Sequence, residues 1–271
     1  MAAFICTACG TQHAPSGSPP AACPICTDER QYVPFSGQGW TTLDRLRLGH
    51  MPTFRDDCGI LGIGMSPHFA IGQRALLVRT PHGNVLWDCI SLVDDVMVEL
   101  IRGIGGLTAL AISHPHYYTT MVEWSHAFGG IPVHLHAADR QWVMRPDPCL
   151  DFWDGEAKAI GSGLTLVRAG GHYAGGTVLH WADSAGGRGA LLSGDILQVV
   201  ADRKHVGFMR SYPNFIPLGA AAVLAIRDRI APYPFDAVYG AFWHAVIPQD
   251  GKQRVQASVE RHIASLERPE E

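Results

Sequence analysis

The sequence predicts an α/β protein built on mixed sheets, with a small metal-binding segment at its N-terminus. Three observations support this fold class. Short apolar runs of strand length alternate with stretches of helical spacing from residue 61 onward. Four cysteines stand in two close pairs within the first 26 residues. Histidines and a carboxylate follow several of the predicted strands, which is where α/β proteins commonly bind ligands.

Composition bounds the classes of function. The 271 residues suffice for one large domain or two modest ones, and 47% of them are hydrophobic, as in proteins with a substantial core. The net charge of −4 is small and no basic stripe occurs, so a nucleic-acid partner is not expected. The longest apolar run, residues 218–226, is too short to cross a bilayer, and the apolar start is too short for an export signal. We therefore expect a cytoplasmic protein without a membrane partner.

Residues 1–35 are predicted to form a zinc knuckle. The pairs Cys6 with Cys9 and Cys23 with Cys26 bracket a stretch that offers no apolar periodicity for a core. Four thiolates at this spacing can surround one ion at about 2.3 Å, as in structural zinc sites. The pattern also resembles rubredoxin-like and zinc-ribbon modules, so iron is an alternative. Zinc is favoured because the segment lacks the aromatic surround that a rubredoxin core usually has. A brace, a dimer contact and a docking surface are all open roles for the knuckle.

A linker and lead-in are predicted over residues 36–60, followed by the main domain over residues 61–271. Alternating or continuous apolar runs predict strands, and 3.6-residue spacing predicts helices. The predicted strands cover residues 61–65, 74–79, 84–88, 107–113, 131–136, 164–168, 177–181, 190–193 and 237–239. The predicted helices cover residues 92–104, 217–230 and 249–266. The order of strands and interspersed helices favours a body of mixed sheets.

Candidate metal ligands follow these strands. His114 and His116 stand two residues apart directly after one strand, and extended backbone there would point both imidazoles to one side. His172 follows a pair of glycines, whose backbone can turn sharply toward an ion. Asp195 and His244 each follow a further strand. Because ligands gather beyond the carboxyl ends of strands in α/β folds, these side chains predict a metal centre.

The order of these motifs resembles the metallo-β-lactamase superfamily over roughly residues 61–266. The resemblance implies an αββα sandwich of two mixed sheets. The family's first metal motif is His-x-His-x-Asp-His, whereas residues 114–119 read His-Pro-His-Tyr-Tyr-Thr, so only the histidine pair matches. His172 in Gly-Gly-His-x-x-Gly and Asp195 in Ser-Gly-Asp match later motifs, and His244 is a looser match. Asp88 fits the family's early structural aspartate.

The resemblance implies a single ion in this centre. Tyr118 and Thr119 replace the aspartate and histidine that help to bind a second ion, and too few ligands are left for one. The implied ligands of one zinc or iron ion are His114, His116, His172 and Asp195, with His244 as a further candidate.

The resemblance also implies roles in catalysis. A metal-activated water would be the nucleophile and Asp195 the acceptor of its proton. Tyr118 is a candidate phenol donor to the substrate. Arg210 and Tyr212 lie between the aspartate and His244 in the sequence and are candidate substrate-binding residues.

Three functions are consistent with these residues. The leading hypothesis is a metal-dependent hydrolase that acts on a small molecule with an ester, thioester, lactone or related bond. The first alternative is a mononuclear iron oxidoreductase similar to the persulfide dioxygenases of the superfamily, with His114, His172 and Asp195 as its triad. The second is a noncatalytic scaffold with a degraded site, which the missing Asp-His half favours. A homo-oligomer is compatible with the sequence.

Overall fold

The structure is a computed structural model that describes residues 1–267. Residues 268–271, the end of the predicted main domain, lie outside the described residues. The chain divides into two compact units, Met1–Trp153 and Asp154–Glu271. Each unit contains one large sheet, and helices accompany both sheets, so the predicted α/β fold class is confirmed. Within residues 1–267, no helix has the length and apolar character needed to span a bilayer.

The first unit contains a seven-stranded sheet. Its elements are β1 (Ile5–Cys6), α1 (Pro24–Thr27), β2 (Trp40–Thr41), α2 (Leu43–Gly49), β3 (Met51–Asp57), β4 (Ile60–Ser66), β5 (Ala75–Val78), β6 (Val85–Trp87), α3 (Asp95–Gly103), β7 (Ala109–Ala111), a 3-10 turn (Pro115–Tyr117), α4 (Met121–Ala127), β8 (Val133–His136), a second 3-10 turn (Ala137–Trp142) and β9 (Leu150–Trp153). Strands β3 to β9 lie side by side in chain order. Neighbours from β3 to β6 are antiparallel, and neighbours from β6 to β9 are parallel. The small β1–β2 pair joins the cysteine-rich segment to residues 40–41.

Burial explains which strands the sequence could reveal. Every residue of β5, β6, β7 and β8 is buried, and β5, β6 and β7 therefore appear in the sequence as continuous apolar runs. Strand β3, by contrast, has only one buried residue and lies at the edge of the sheet. It pairs with β4 over seven residues, so the lead-in predicted at residues 36–60 contains a sheet strand and the helix α2.

Helix α3 shows how local sequence sets the boundaries of an element. The Asp94 side chain accepts a hydrogen bond from the Met97 backbone N–H at 2.7 Å, which caps the first turn. Met97 and Ile101 are buried on one face, whereas Val96 and Leu100 are exposed on the other. This amphipathic spacing is the pattern that predicted a helix here.

The second unit contains a six-stranded sheet. Its elements are β10 (Ala157–Gly161), β11 (Leu164–Arg168), β12 (Thr177–Trp181), α5 (Ser184–Gly187), β13 (Ala190–Gly194), β14 (Gln198–Val199), β15 (Val206–Gly207), β16 (Met209–Ser211), β17 (Ile216–Pro217), α6 (Ala220–Ile230), β18 (Ala237–Gly240), β19 (Val246–Ile247) and α7 (Gly251–Glu267). The sheet order is β10-β11-β12-β13-β18-β19, and only β13 and β18 are parallel. Buried residues of this sheet and of α6 and α7 form one core cluster that includes Val178, Leu191, Ile226 and Val259.

A buried ion pair joins β3 to the residue before β5 in the first unit. Arg74 Nε donates to Asp57 Oδ2 at 2.6 Å, and the two side chains are 0% and 3% exposed. Burial lowers the pKa of Arg74, and the charge of Asp57 opposes that shift. Removing the carboxylate therefore leaves a guanidinium buried without its main counter-charge.

We expect Asp57→Ala to reduce the free energy of unfolding by about 3 kcal/mol, because an uncompensated buried charge is strongly unfavourable. Urea denaturation followed by tryptophan fluorescence would measure the change. The control is Arg188→Ala, which removes a largely exposed ion pair with Asp236 and should change stability by less than about 1 kcal/mol. Equal effects of the two substitutions would contradict the role assigned to the buried pair.

Candidate metal centres

The four cysteines of the N-terminal segment come together within the first unit. All four are buried, and their Sγ atoms lie within 4.8 Å of one another. Cys6 Sγ is 3.5 Å from Cys26 Sγ, and Cys9 Sγ is 3.7 Å from Cys23 Sγ. Sulfur atoms about 2.3 Å from a tetrahedral zinc ion would be about 3.8 Å apart. The cluster therefore fits one tetrahedral ion, and the predicted four-cysteine site is confirmed.

Backbone turns and one glutamine shape this site. The Gly10 N–H donates to the Cys6 carbonyl at 2.9 Å, and the left-handed φ of 81° at Gly10 completes that turn. The Cys26 N–H donates to the Cys23 carbonyl at 3.0 Å in the second turn. Gln38 Nε2 donates to Cys6 Sγ at 3.1 Å, and its Oε1 accepts from the Cys23 N–H at 3.2 Å. Donors of this kind orient the sulfur atoms and favour their thiolate form.

Apolar side chains from other parts of the unit surround the cysteines. Trp40, Ile71, Trp142 and Met144 pack against the cluster. Zinc was favoured over iron because residues 1–35 contain no such aromatic surround. The fold supplies two tryptophans from outside that segment, so the aromatic content of residues 1–35 does not distinguish zinc from iron.

The histidine pair lies just beyond strand β7 in the first unit. His114 and His116 are 1% and 2% exposed, and their ring centroids are 5.1 Å apart. His114 has extended backbone, but His116 lies in the 3-10 turn Pro115–Tyr117, so the extended loop expected there is wrong. The turn begins at Pro115, which suits the first position of a helical turn and bends the chain directly after His114. The two imidazoles are nevertheless neighbours.

Ser113 fixes the tautomer of His114. Its hydroxyl donates to Asp88 Oδ1 at 2.8 Å and lies 2.9 Å from His114 Nδ1. Because the single hydroxyl proton is given to Asp88, the serine oxygen accepts the proton of Nδ1, and Nε2 carries the lone pair that a metal needs. The Ser113 N–H also donates to Asp88 Oδ1 at 2.8 Å. Ser113 is not among the predicted site residues, although a hydroxyl directly before the first histidine is a signal in the sequence.

His172 is positioned in the second unit by two glycines. Gly170 and Gly171 have left-handed φ values of 71° and 77°. A Cβ on Gly171 would lie 2.6 Å from Ile226 Cδ1, so the turn admits no larger residue without repacking. The fully buried His172 donates from Nδ1 to the Met209 carbonyl at 3.0 Å, so Nε2 is again the nitrogen available to a metal.

Asp195 directly follows strand β13 and is 5% exposed. Its Oδ1 lies 3.9 Å from His172 Nε2, beyond hydrogen-bonding distance. An oxygen and a nitrogen bound to one tetrahedral zinc would lie about 3.3 Å apart. The two side chains would therefore need to approach each other by only a fraction of an ångström to bind the same ion. Tyr212 donates from its hydroxyl to the Asp195 carbonyl at 2.8 Å. The pair in the second unit thus fits a nitrogen and oxygen ligand set, and Tyr212 holds its backbone.

The other predicted site residues have different surroundings. His244 is exposed in a left-handed turn with φ of 64°, and the groups of metal donors among residues 1–267 do not include it. Tyr118 is 2% exposed, and its carbonyl accepts a hydrogen bond from Cys89 Sγ at 3.6 Å. Arg210 is partly buried in strand β16. The roles predicted for these residues in metal binding, catalysis and substrate binding stay predictions.

Comparisons with known proteins identify relatives of the whole chain. The sequence is 44% identical over 269 residues to the uncharacterized protein YmaE of Bacillus subtilis (strain 168), and the match covers 98% of this chain and 97% of YmaE. No model of a protein family matches the sequence.

Solved structures share the fold at low sequence identity. DIM-1 metallo-β-lactamase exposed to ceftazidime has a TM-score of 0.56 at 12% identity, over 78% of this chain and 97% of that one. VMB-1 at pH 5.5 has a TM-score of 0.59 at 11% identity, over 79% and 98% of the two chains. Such similarity concerns the fold alone, and it confirms the metallo-β-lactamase fold that the motifs predicted.

We expect the cysteine cluster to hold one ion per chain. After exchange with Co²⁺, the full chain should show sulfur-to-cobalt charge-transfer absorption, because four thiolates would bind the ion. Cys6→Ser with Cys9→Ser should abolish this band, whereas the exposed Cys58→Ser serves as the matched control and should retain it. A band that survives the double substitution would contradict the assignment.

We expect Ser113→Ala to weaken metal binding by the histidine pair about 10-fold, because Nδ1 of His114 loses its oriented acceptor. Competition with a chromophoric chelator would measure the dissociation constant. Ser265→Ala, an exposed serine in α7, is the control and should leave the affinity unchanged. Equal affinities of the two variants would show that Ser113 has no part in orienting the ligand.

Proposed function

Since the chain belongs to the family of YmaE and has the metallo-β-lactamase fold, we propose that it is a metal-dependent hydrolase with one ion in its main site. The proposed ligands are His114, His116, His172 and Asp195, the set that the motif resemblance implies. The observation that carries the proposal is that two candidate histidine ligands have the same tautomer. His114 and His172 are both buried with Nδ1 directed at an oxygen acceptor, which leaves Nε2 for a metal.

The contacts of Thr119 support a single ion. This residue and Tyr118 occupy the positions where the superfamily motif has its aspartate and second-site histidine. The Thr119 hydroxyl lies 2.9 Å from Cys89 Sγ, and its carbonyl accepts from the Gln12 N–H at 3.0 Å. Burial raises the pKa of the Cys89 thiol, so it stays protonated in this contact. These polar groups are engaged in the fold, and none of them is a suitable replacement for a carboxylate ligand.

A bound divalent ion would supply Lewis acidity and lower the pKa of a coordinated water to about 7. Asp195 has two carboxylate oxygens, so one can bind the ion while the other accepts the proton of the attacking water. Tyr212 keeps the Asp195 backbone in place through its hydroxyl. Burial, and next the charge of Asp195, raise the pKa of Tyr212, so its phenol remains a donor at neutral pH. We propose this positioning role in place of the predicted role in substrate binding.

The proposed substrate is a small molecule with an ester, thioester, lactone or related carbonyl bond. A water activated beside a buried carboxylate suits attack on such a carbon. Zinc is the proposed ion in the main site as well as in the cysteine cluster. Three imidazoles and one carboxylate also bind iron, and an iron-loaded protein would favour the oxidoreductase hypothesis.

We expect zinc-loaded full-length protein to hydrolyse at least one member of a panel of aryl esters, acyl thioesters and lactones. His114→Ala with His172→Ala should lower that rate at least about 100-fold and remove one ion per chain. His82→Ala alters an exposed histidine and is the matched control for both measurements. Hydrolysis by a metal-free protein, or retention of both ions by the double variant, would refute the proposal.

A further inference from the structure

We propose that the four-cysteine knuckle is a brace for the histidine loop, defined as residues 113–120, so that loss of the knuckle's ion loosens the loop that carries His114 and His116. This inference rests on the proposed function only in giving those histidines a metal to bind. The contacts that carry it all lie within the first unit. They link the residues that follow Cys9 to the backbone that follows His116.

The first contact is between backbones. The Gln12 N–H donates to the Thr119 carbonyl at 3.0 Å. Thr119 has a left-handed φ of 33°, a conformation that costs a threonine free energy and persists only where neighbours hold it. Gln12 lies three residues after the knuckle ligand Cys9. The knuckle therefore contacts the histidine loop at its least favourable backbone conformation.

The second contact is close packing at Gly10. The Ser91 hydroxyl donates to the Gly10 carbonyl at 3.1 Å. A Cβ on Gly10 would lie 2.4 Å from Ser91 Oγ and 3.6 Å from Thr119 Cγ2. The left-handed φ of Gly10 likewise disfavours any side chain. A glycine is thus needed where the knuckle approaches the loop and the segment that follows β6.

The third contact continues into the helix after the loop. Arg145 Nη1 donates to Gln12 Oε1 and also to Glu123 Oε1, the latter at 2.5 Å. Gln12 Nε2 donates to the same Glu123 oxygen at 3.2 Å. Glu123 lies in α4, which begins directly after the histidine loop. Gln12 is therefore hydrogen-bonded through its backbone to the histidine loop and through its side chain to the helix that follows the loop.

The segment after β6 also holds the loop. Cys89 Sγ lies 2.9 Å from Thr119 Oγ1 and 3.4 Å from the Tyr117 carbonyl. Thr120 Oγ1 donates to the Ile90 carbonyl at 3.1 Å. The loop is consequently held by two sets of contacts, one from this segment and one from residues 10–12 of the knuckle. Removing the knuckle's contacts loosens the backbone that carries the histidines.

The knuckle's contacts with the histidine loop depend on the knuckle's ion. Residues 10–12 lie between the two cysteine pairs, and the buried side chains of this segment include its four cysteines and few large apolar groups. Segments of this kind gain much of their folding free energy from the metal. Without the ion, the contacts made by Gly10 and Gln12 would be lost together.

Hydrogen–deuterium exchange of the full chain tests the brace. In Cys23→Ser with Cys26→Ser, amide exchange in residues 114–122 should rise about 10-fold. Residues 51–66, which contain strands β3 and β4 of the same unit, should keep their exchange rate. Gly10→Ala should raise exchange in the same segment although all four cysteines remain. Gly17→Ala is the matched control, because an added Cβ there meets no atom within 4 Å.

Unchanged exchange at residues 114–122 in a knuckle shown by elemental analysis to be empty would overturn the brace. If the cysteine variant exchanges faster throughout, Gly10→Ala decides the question: a rise confined to residues 114–122 supports the brace, and a uniform rise or none refutes it. Metal affinity of the histidine site should also fall about 10-fold in Gly10→Ala. Absence of hydrolysis in wild-type protein would refute the proposed function but leave the exchange result standing, so the two failures are distinguishable.

Discussion

The histidine site of the first unit depends on two hydrogen bonds of Ser113, which donates to Asp88 and accepts from His114 Nδ1. They join the residue after β6 to the residues after β7, since the Asp88 N–H also donates to the Ala111 carbonyl at 2.9 Å. The left-handed φ of 57° at Asp88 directs its carboxylate across to the neighbouring strand end. The sheet thereby determines which imidazole nitrogen is presented to a metal.

The second unit reaches the same chemical result by another route. His172 gives its Nδ1 proton to the Met209 carbonyl, and the glycine turn before it leaves room only for backbone against Ile226. Tyr212, which directly follows strand β16, donates from its hydroxyl to the Asp195 carbonyl. Backbone carbonyls therefore do in this unit what Asp88 and Ser113 do in the first. In both units a hydrogen bond to Nδ1 fixes the orientation of a buried histidine, which favours a rigid arrangement over an adaptable one.

The sequence predicted the parts of this molecule that local pattern determines. Strands such as β7 and β13 are short apolar runs followed by polar ligands, and both pattern and position were readable. Strand β3 was not, because an edge strand with one buried residue has no apolar pattern of its own. Gln12 and Thr119 are 107 positions apart, and no local rule predicts that a knuckle residue bonds to the histidine loop. The role of Tyr212 was also hidden, since its partner is a backbone carbonyl.

This chain differs from the superfamily pattern in two ways: the first metal motif lacks its Asp-His half, and a four-cysteine knuckle precedes the main domain. The second difference compensates for the first. In the full His-x-His-x-Asp-His motif, the last two positions bind a metal, and a bound metal holds its loop as well as its substrate. Tyr118 and Thr119 bring no such ligands, so the backbone here needs support of another kind. Gln12 and Gly10 supply that support from a segment that is itself organised around four thiolates. On this view an ion in the knuckle would stabilise the histidine loop, and the proposed single ion of the histidine site would not be needed for that purpose.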